Sequence, residues 1–171
     1  PLVPAALAKL TSDNPFARFG AVTLVASLPP AEAAKVAPDV GKLLTDRERD
    51  IRMRAGAVLE RIGPAGAGAA DALGQAVAAE KDEALRDQFG DALLAMGPGA
   101  KPAVPAVVPL ITAPVLPVDR RARAMAAAVG GDPASKDVAA AVVAAAGHDD
   151  PAVRAAAAFA LARLDPLPPE A

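Results

Sequence analysis

The sequence predicts an all-α fold: an α-solenoid, wound as a right-handed superhelix, of about five helical hairpins and about ten helices. Three observations carry this. Arg18, Arg52 and Arg86 are 34 residues apart, Arg154 lies twice that distance further on, and Arg120 stands on the missing rung. A fixed period of this size is the mark of a repeat array, in which each unit buries its apolar side against its neighbours. Within the units, apolar residues recur at helical spacing. Ile51, Ala55, Val58, Leu59 and Ile62 form one stripe, which Leu85, Phe89, Ala92, Leu93, Met96 and Val153, Ala157, Ala160, Leu161, Leu164 repeat. No segment alternates with period two over a length that would make a strand. The composition agrees: 53% of residues are hydrophobic but only 2% aromatic, so the apolar content is mostly alanine with Val and Leu. Alanine favours helix and lets helix backbones approach closely.

The elements follow in pairs, an outer and an inner helix, in units of about 1–29, 30–63, 64–97, 98–131 and 132–166. The outer helices are expected near Leu2–Leu10, Ala31–Leu44, Ala65–Ala79, Ala100–Thr112 and Pro133–Ala146. The inner helices are expected near Pro15–Leu28, Asp50–Ile62, Glu83–Met96, Val118–Val129 and Pro151–Leu164. Ser12-Asp13-Asn14-Pro15 and Asp149-Asp150-Pro151 place a capping side chain just before a proline in a first helical turn. There the cap accepts from free N–H groups, and proline gives up nothing by lacking one. Gly63-Pro64 and Gly97-Pro98 end inner helices with a left-handed glycine and a proline that refuses continuation. Pro29-Pro30 and Asp165-Pro166 act similarly. Such short connections make neighbouring helices antiparallel.

The fourth unit departs from strict spacing, which would place Asp119 and Arg123 on core positions. Burying two lone charges costs more than sliding a loop by one residue. The expected stripe is therefore Val118, Ala122, Met125 and Val129, with Gly130-Gly131-Asp132-Pro133 as the loop that recovers the register.

The unit that runs from Asp50-Ile51-Arg52 to Gly63-Pro64, with Gly97-Pro98-Gly99-Ala100-Lys101-Pro102-Ala103-Val104-Pro105 and Asp150-Pro151-Ala152-Val153-Arg154 as matching text, resembles the HEAT repeats of bacterial proteins, including the bilin-lyase-like repeats. The resemblance covers nearly the whole chain. It implies that the helix bearing the arginine is the inner one and lines a concave surface. It also implies that Arg18, Arg52, Arg86 and Arg154 form a structural ladder, paired with an aspartate near the preceding loop. Asp13, Asp50, Asp82 and Asp149 or Asp150 are the candidates. A tetratricopeptide array of equal period calls for Trp and Tyr, and this chain has neither.

Chemistry finds little foothold. There is no cysteine, which removes disulfides, thiolate metal sites and cysteine nucleophiles and leaves either an oxidising or a reducing compartment open. The one histidine, His148, sits in a loop beside Asp149 and Asp150. A metal needs three or four converging ligands and a catalytic triad needs a placed serine, so no catalytic residue, metal site or cofactor is expected. Asp87 and Asp91 share a helix face as a carboxylate pair, read as an exposed acidic face. Gly63–Gly68 imitates a phosphate loop but follows a helix and lacks the terminal Lys-Ser/Thr. The net charge of −2 gives no basic surplus for nucleic acid. The sequence shows no signal peptide and no uninterrupted apolar run of transmembrane length.

The off-stripe positions of the inner helices are what a partner would meet: Phe19, Met53, Arg54, Glu60, Arg61, Asp87, Gln88, Asp91, Arg121, Phe159 and Arg163. This mixture of both charges and a few apolar side chains suits a protein or peptide better than a polyanion. The expected function is a non-catalytic interaction scaffold using this face or the solenoid ends. The alternatives are a spacer or regulatory module within a larger enzyme and, more remotely, a DNA-repair type of HEAT-like protein. The chain opens on Pro1, and Leu2, Val3, Leu7 and Leu10 give the first helix little polar cover. Flanking repeats of a longer protein, or end-to-end self-association, are expected to supply it.

Overall fold

The computed structural model describes residue 4 and residues 8–164. Parts of the expected first outer helix, with Leu2, Val3 and Leu7, and the stretch from Asp165 onward lie outside the described residues. Among the described residues there is no strand. The helices are α1 (Pro15–Ser27), α2 (Pro30–Ala34), α3 (Ala37–Lys42), α4 (Arg49–Ile62), α5 (Ala70–Ala79), α6 (Glu83–Met96), α7 (Val104–Thr112), α8 (Val118–Gly131), α9 (Lys136–Ala146) and α10 (Pro151–Leu161). Short 3₁₀ stretches cover Leu43–Thr45, Gly63–Ala69 and Gly97–Ala103.

The architecture is an α-solenoid. The inner helices α1, α4, α6, α8 and α10 pack successively on one another, and the outer helices α3, α5, α7 and α9 do likewise. Each outer helix also packs on its own inner partner, so the hairpins stand side by side in chain order. The core runs between the layers: Val22 and Val25, then Ile51, Val58 and Leu59, then Phe89 and Leu93, with Val36, Val40, Leu73, Val107, Ile111 and Val142 opposite.

The caps form as the sequence implies. Asn14 Oδ1 accepts from the N–H of Phe16 at 2.9 Å, and Asp150 Oδ1 accepts from that of Ala152 at 2.8 Å, each with proline opening the helix. Asp82 Oδ1 caps α6 through the N–H of Leu85 at 3.1 Å. Gly63 and Gly97 do adopt positive φ, 61° and 55°. Their ψ angles of −135° and −130° differ from the left-handed helical cap expected. The proline that follows excludes helical ψ from its neighbour, and glycine answers with the mirror image of extended backbone, a region open to glycine almost alone.

The outer layer is less regular than expected. The predicted helix Ala31–Leu44 breaks at Lys35-Val36, because Pro38 lacks an N–H and its ring crowds the carbonyl one turn earlier. The starts of the next two outer helices tighten into 3₁₀ turns carrying Pro64, Pro98 and Pro102. Glu83–Thr112 is long and apolar enough by composition to cross a membrane. It is not one rod: it turns at Gly97, sending α6 to the inner layer and α7 to the outer.

The fourth unit slides by one residue, but in the direction opposite to that expected. α8 buries Ala124, Ala127 and Ala128 along with Met125 and Val129, whereas Val118 and Ala122 are only half-buried. Asp119 and Arg123 stay exposed, so the electrostatic reason for the slide holds. The helix also runs through Gly130 and Gly131, which are not a loop. A Cβ on Gly131 would lie 2.9 Å from Val104 Cγ2 and 3.2 Å from the Lys101 backbone. The glycine is there for close approach of α8 to the 3₁₀ stretch before α7.

Candidate binding face and the arginine ladder

Two of the four ladder arginines, Arg18 and Arg52, tie neighbouring units together. Arg18 Nη1 donates to the carbonyls of Ser12 and Asp13, and Arg52 Nη1 to those of Asp46 and Arg47. Arg154 does the same with His148 and Asp149, at 2.8 and 2.7 Å. The carboxylate partners, however, come from the following unit rather than the preceding loop. Arg18 Nε lies 2.6 Å from Asp46, and Arg52 Nε lies 2.8 Å from Glu80. Each acid stands 28 residues after its arginine. Asp46 Oδ1 also accepts from the N–H of Glu48, and Glu80 Oε1 from those of Lys81 and Asp82. One carboxylate thus fixes the loop of its own unit and clamps the arginine below. Of the expected acids, Asp82 pairs with Arg49 instead, at 2.7 Å.

Of the four expected rungs, Arg86 fails, and Arg154 meets backbone carbonyls but no carboxylate among the described residues. Counting 28 residues on from Arg86 reaches Pro114, which offers no acid, and Arg86 is exposed with no side-chain hydrogen bond among the described residues. In the fourth unit the slide brings Arg121, not Arg120, onto the ladder. Arg121 donates to the carbonyls of Ile111, Ala113 and Leu116 at 2.5, 2.7 and 3.4 Å. It is 3% exposed, so it leaves the set of surface residues expected to meet a partner.

Electrostatics follow this geometry. Burial pushes the Asp46 carboxyl up, but the hydrogen bond from Arg18, the N–H of Glu48 and the charges of Arg18 and Arg52 together hold it below its ordinary value. Glu80 is likewise pushed up by burial and brought below its ordinary value by Arg52 and the N–H groups of Asp82 and Lys81. Arg49, through its hydrogen bond, holds Asp82 low. Arg18 rises, first through its bond to Asp46.

On the exposed side of the inner helices, Phe19, Met53 and Asp87 occupy the same place in successive helices, one period apart. Phe19 and Met53 are each 37% exposed, and the Arg54 guanidinium lies 5.5 Å from the centre of the Phe19 ring. A cation over a ring face is attracted by its quadrupole. Phe16, which sequence reasoning missed, is 85% exposed one turn before Phe19. The signal was present: Phe16 directly follows Asn14-Pro15 and falls outside the stripe. A groove of about 430 Å³ runs from these rings to Glu48, Asp50 and Ile51 on the next unit.

Further along, the face turns ionic. Arg120 Nε is 2.8 Å from Asp91, and its Nη2 donates to the Asp87 carbonyl at 2.9 Å. Arg123 lies within 3.7 Å of Asp91 and 3.5 Å of Asp119. Neither Arg120 nor Arg123 was read from the sequence as part of this face. Gln88 is half-buried, with Oε1 enclosed beside Gly56 and without a hydrogen-bond partner among the described residues. Arg61 reaches back to the carbonyls of Leu28 and Val25, at 3.0 and 3.2 Å, and satisfies the C-terminal end of α1. Glu60 and Arg163 are exposed, as is Phe159 at 71%. The structure therefore brings Arg54 to Phe19, beside Phe16, sets Met53 one period on, and links Asp87 and Asp91 through Arg120, while Arg121 is withdrawn and Arg61 is engaged in structure.

No family model matches the chain, and no curated protein matches it. Among solved structures it is similar to an engineered protein, a Northeast Structural Genomics Consortium target, at 20% sequence identity with a TM-score of 0.62. That match covers 94% of this chain and 78% of the other. At this level of identity the likeness speaks to the all-α repeat fold alone.

Proposed function

We propose that the chain is a non-catalytic scaffold of HEAT-like units, of bacterial type, that binds a protein or peptide along the exposed face of its inner helices. The observation that supports this reading is the exposure of Phe16 and Phe19 on one inner helix and of Met53 at the matching place on the next. They leave large apolar side chains in solvent on two successive inner helices, next to Arg54, Glu48 and Asp50. Exposed apolar side chains gathered together and rimmed by charge mark interaction surfaces. The neighbouring acids Asp87, Asp91 and Asp119 argue for a polypeptide rather than a nucleic-acid backbone.

Panning a displayed peptide library against the chain tests the reading. Selected peptides are expected to lose binding to a Phe16→Ser/Met53→Ser variant and to a charge-reversed Arg54→Glu/Glu60→Lys/Asp87→Lys variant. They should keep it with Phe159→Ser, at the far end of the array. Binding indifferent to the first two variants overturns it.

A further inference from the structure

We infer that a carboxylate-binding site lies between the fourth and fifth units, at Arg121 and His148, away from the inner-helix face proposed above. The inference comes from comparing one interface with the next. At the first two interfaces a ladder arginine meets a carboxylate through Nε, Arg18 with Asp46 and Arg52 with Glu80. A groove lined by Thr45, Arg52, Ala76 and Glu80 marks the second of these. The fourth interface repeats that groove with Thr112, Arg121, Ala144 and His148, and histidine replaces the acid.

Among the described residues Arg121 is the one buried charged residue, at 3% exposure, and its enclosed Nε–H has no hydrogen-bond partner there. The three carbonyls on its Nη atoms satisfy donors but carry no counter-charge. Burying a cation without an anion is costly, and a carboxylate offsets that cost most fully when it also accepts hydrogen bonds. Asp150, in the same loop, is occupied with capping α10.

The cavity beside Arg121 measures about 230 Å³. Two further side chains on its wall, His148 and Thr112, can donate. His148 Nδ1 accepts the N–H of Asp150 at 3.0 Å, so in the neutral ring the proton sits on Nε2. Thr112 adds a hydroxyl. A guanidinium, an imidazole N–H and a hydroxyl beside small alanines form the donor set of a carboxylate site, whether the carboxylate belongs to a small acid or to a Glu or Asp side chain of a peptide.

His148 is the sole histidine, so its ring gives one set of NMR signals. Titration of the whole chain with sodium acetate, or with an end-blocked glutamate peptide, should shift those signals saturably, while sodium chloride at equal ionic strength should not. Response to acetate identifies a free small acid as sufficient; response to the peptide alone identifies a side chain as the source. His148→Glu should raise Tm by several degrees, by restoring the pair seen at Arg52–Glu80, and should abolish any acetate-dependent rise in Tm. Signals that follow ionic strength alone, or a His148→Glu chain that melts lower than the parent and keeps the acetate effect, overturn the inference. The titration needs no variant, so it decides the matter even where His148→Glu fails to fold.

Discussion

Replacing Glu80 by glutamine removes one charge from the second rung and little else. Glutamine retains an Oε1 that accepts from Lys81 and Asp82, so the loop before α6 keeps its turn. The loss is then the charge-assisted part of the bond from Arg52 Nε, 2.8 Å long, between side chains only 19% and 8% exposed. Ionic hydrogen bonds contribute about 1.5–3 kcal/mol against about 1 for neutral ones, so the expected loss is about 0.5–2 kcal/mol. For a chain of this size that lowers Tm by about 1–8 °C, since each kcal/mol moves it by about 2–4 °C. Glu80→Ala should cost more, because Arg52 then keeps only its two carbonyls. Thermal unfolding by circular dichroism at pH 7 measures both, and an Arg52→Gln/Glu80→Gln cycle isolates the coupling. A coupling below about 0.5 kcal/mol, typical of an exposed pair, would refute the clamp.

Two further outcomes follow. Asp46 and Glu80 have folded-state pKa values below their ordinary 3.8 and 4.5, so their contribution is complete above those values and is lost as the pH falls through the folded ones. The stability gap between the parent and Glu80→Gln should therefore be constant from neutral pH to about 5, shrink as the pH falls below the ordinary value and close below the folded one, as seen in urea titrations across pH. Gly56→Ala should destabilise although it removes a helical glycine: a Cβ there would lie 2.9 Å from the buried ring of Phe89. Overpacking of about 1–3 kcal/mol outweighs the gain of about 1 kcal/mol from alanine, and in a Phe89→Ala background the sign should reverse to stabilising.

What the sequence disclosed and what it hid divide along physical lines. The inner helices were legible because their ends carry local signals. Asp82 before Glu83 and Gly97 after Met96 bound α6 at the residues expected. Three outer helices end where expected, at Ala79, Thr112 and Ala146, but their starts were not legible, because proline acts there through its own ring and missing N–H, and alanine-rich text reads as helix whether the turns are α or 3₁₀. The ladder positions Arg18 and Arg52 showed in the period, but their acids did not. The HEAT resemblance pointed to a nearby loop, whereas packing brings Asp46 and Glu80 from the next unit. Arg121 was misread as a surface residue because the direction of a one-residue slide depends on how the loop from Ala113 to Pro117 closes, and that is decided by three carbonyls that only the fold brings together.

The fold requires hairpins stacked in register along the outer layer as well as the inner. The chain has no cysteine, so engineered pairs report without background. An ideal Cβ at Gly74 lies 3.6 Å from Ala106 Cβ, and one at Gly41 lies 3.1 Å from Ala72 Cβ, close to the separation a disulfide spans. Gly41→Cys/Ala72→Cys and Gly74→Cys/Ala106→Cys should each oxidise within one chain, seen as a gel-mobility shift and the disappearance of free thiols, while Gly41→Cys/Ala106→Cys should stay reduced. Free thiols in both neighbouring pairs, or ready closure of the distant one, would contradict the stack.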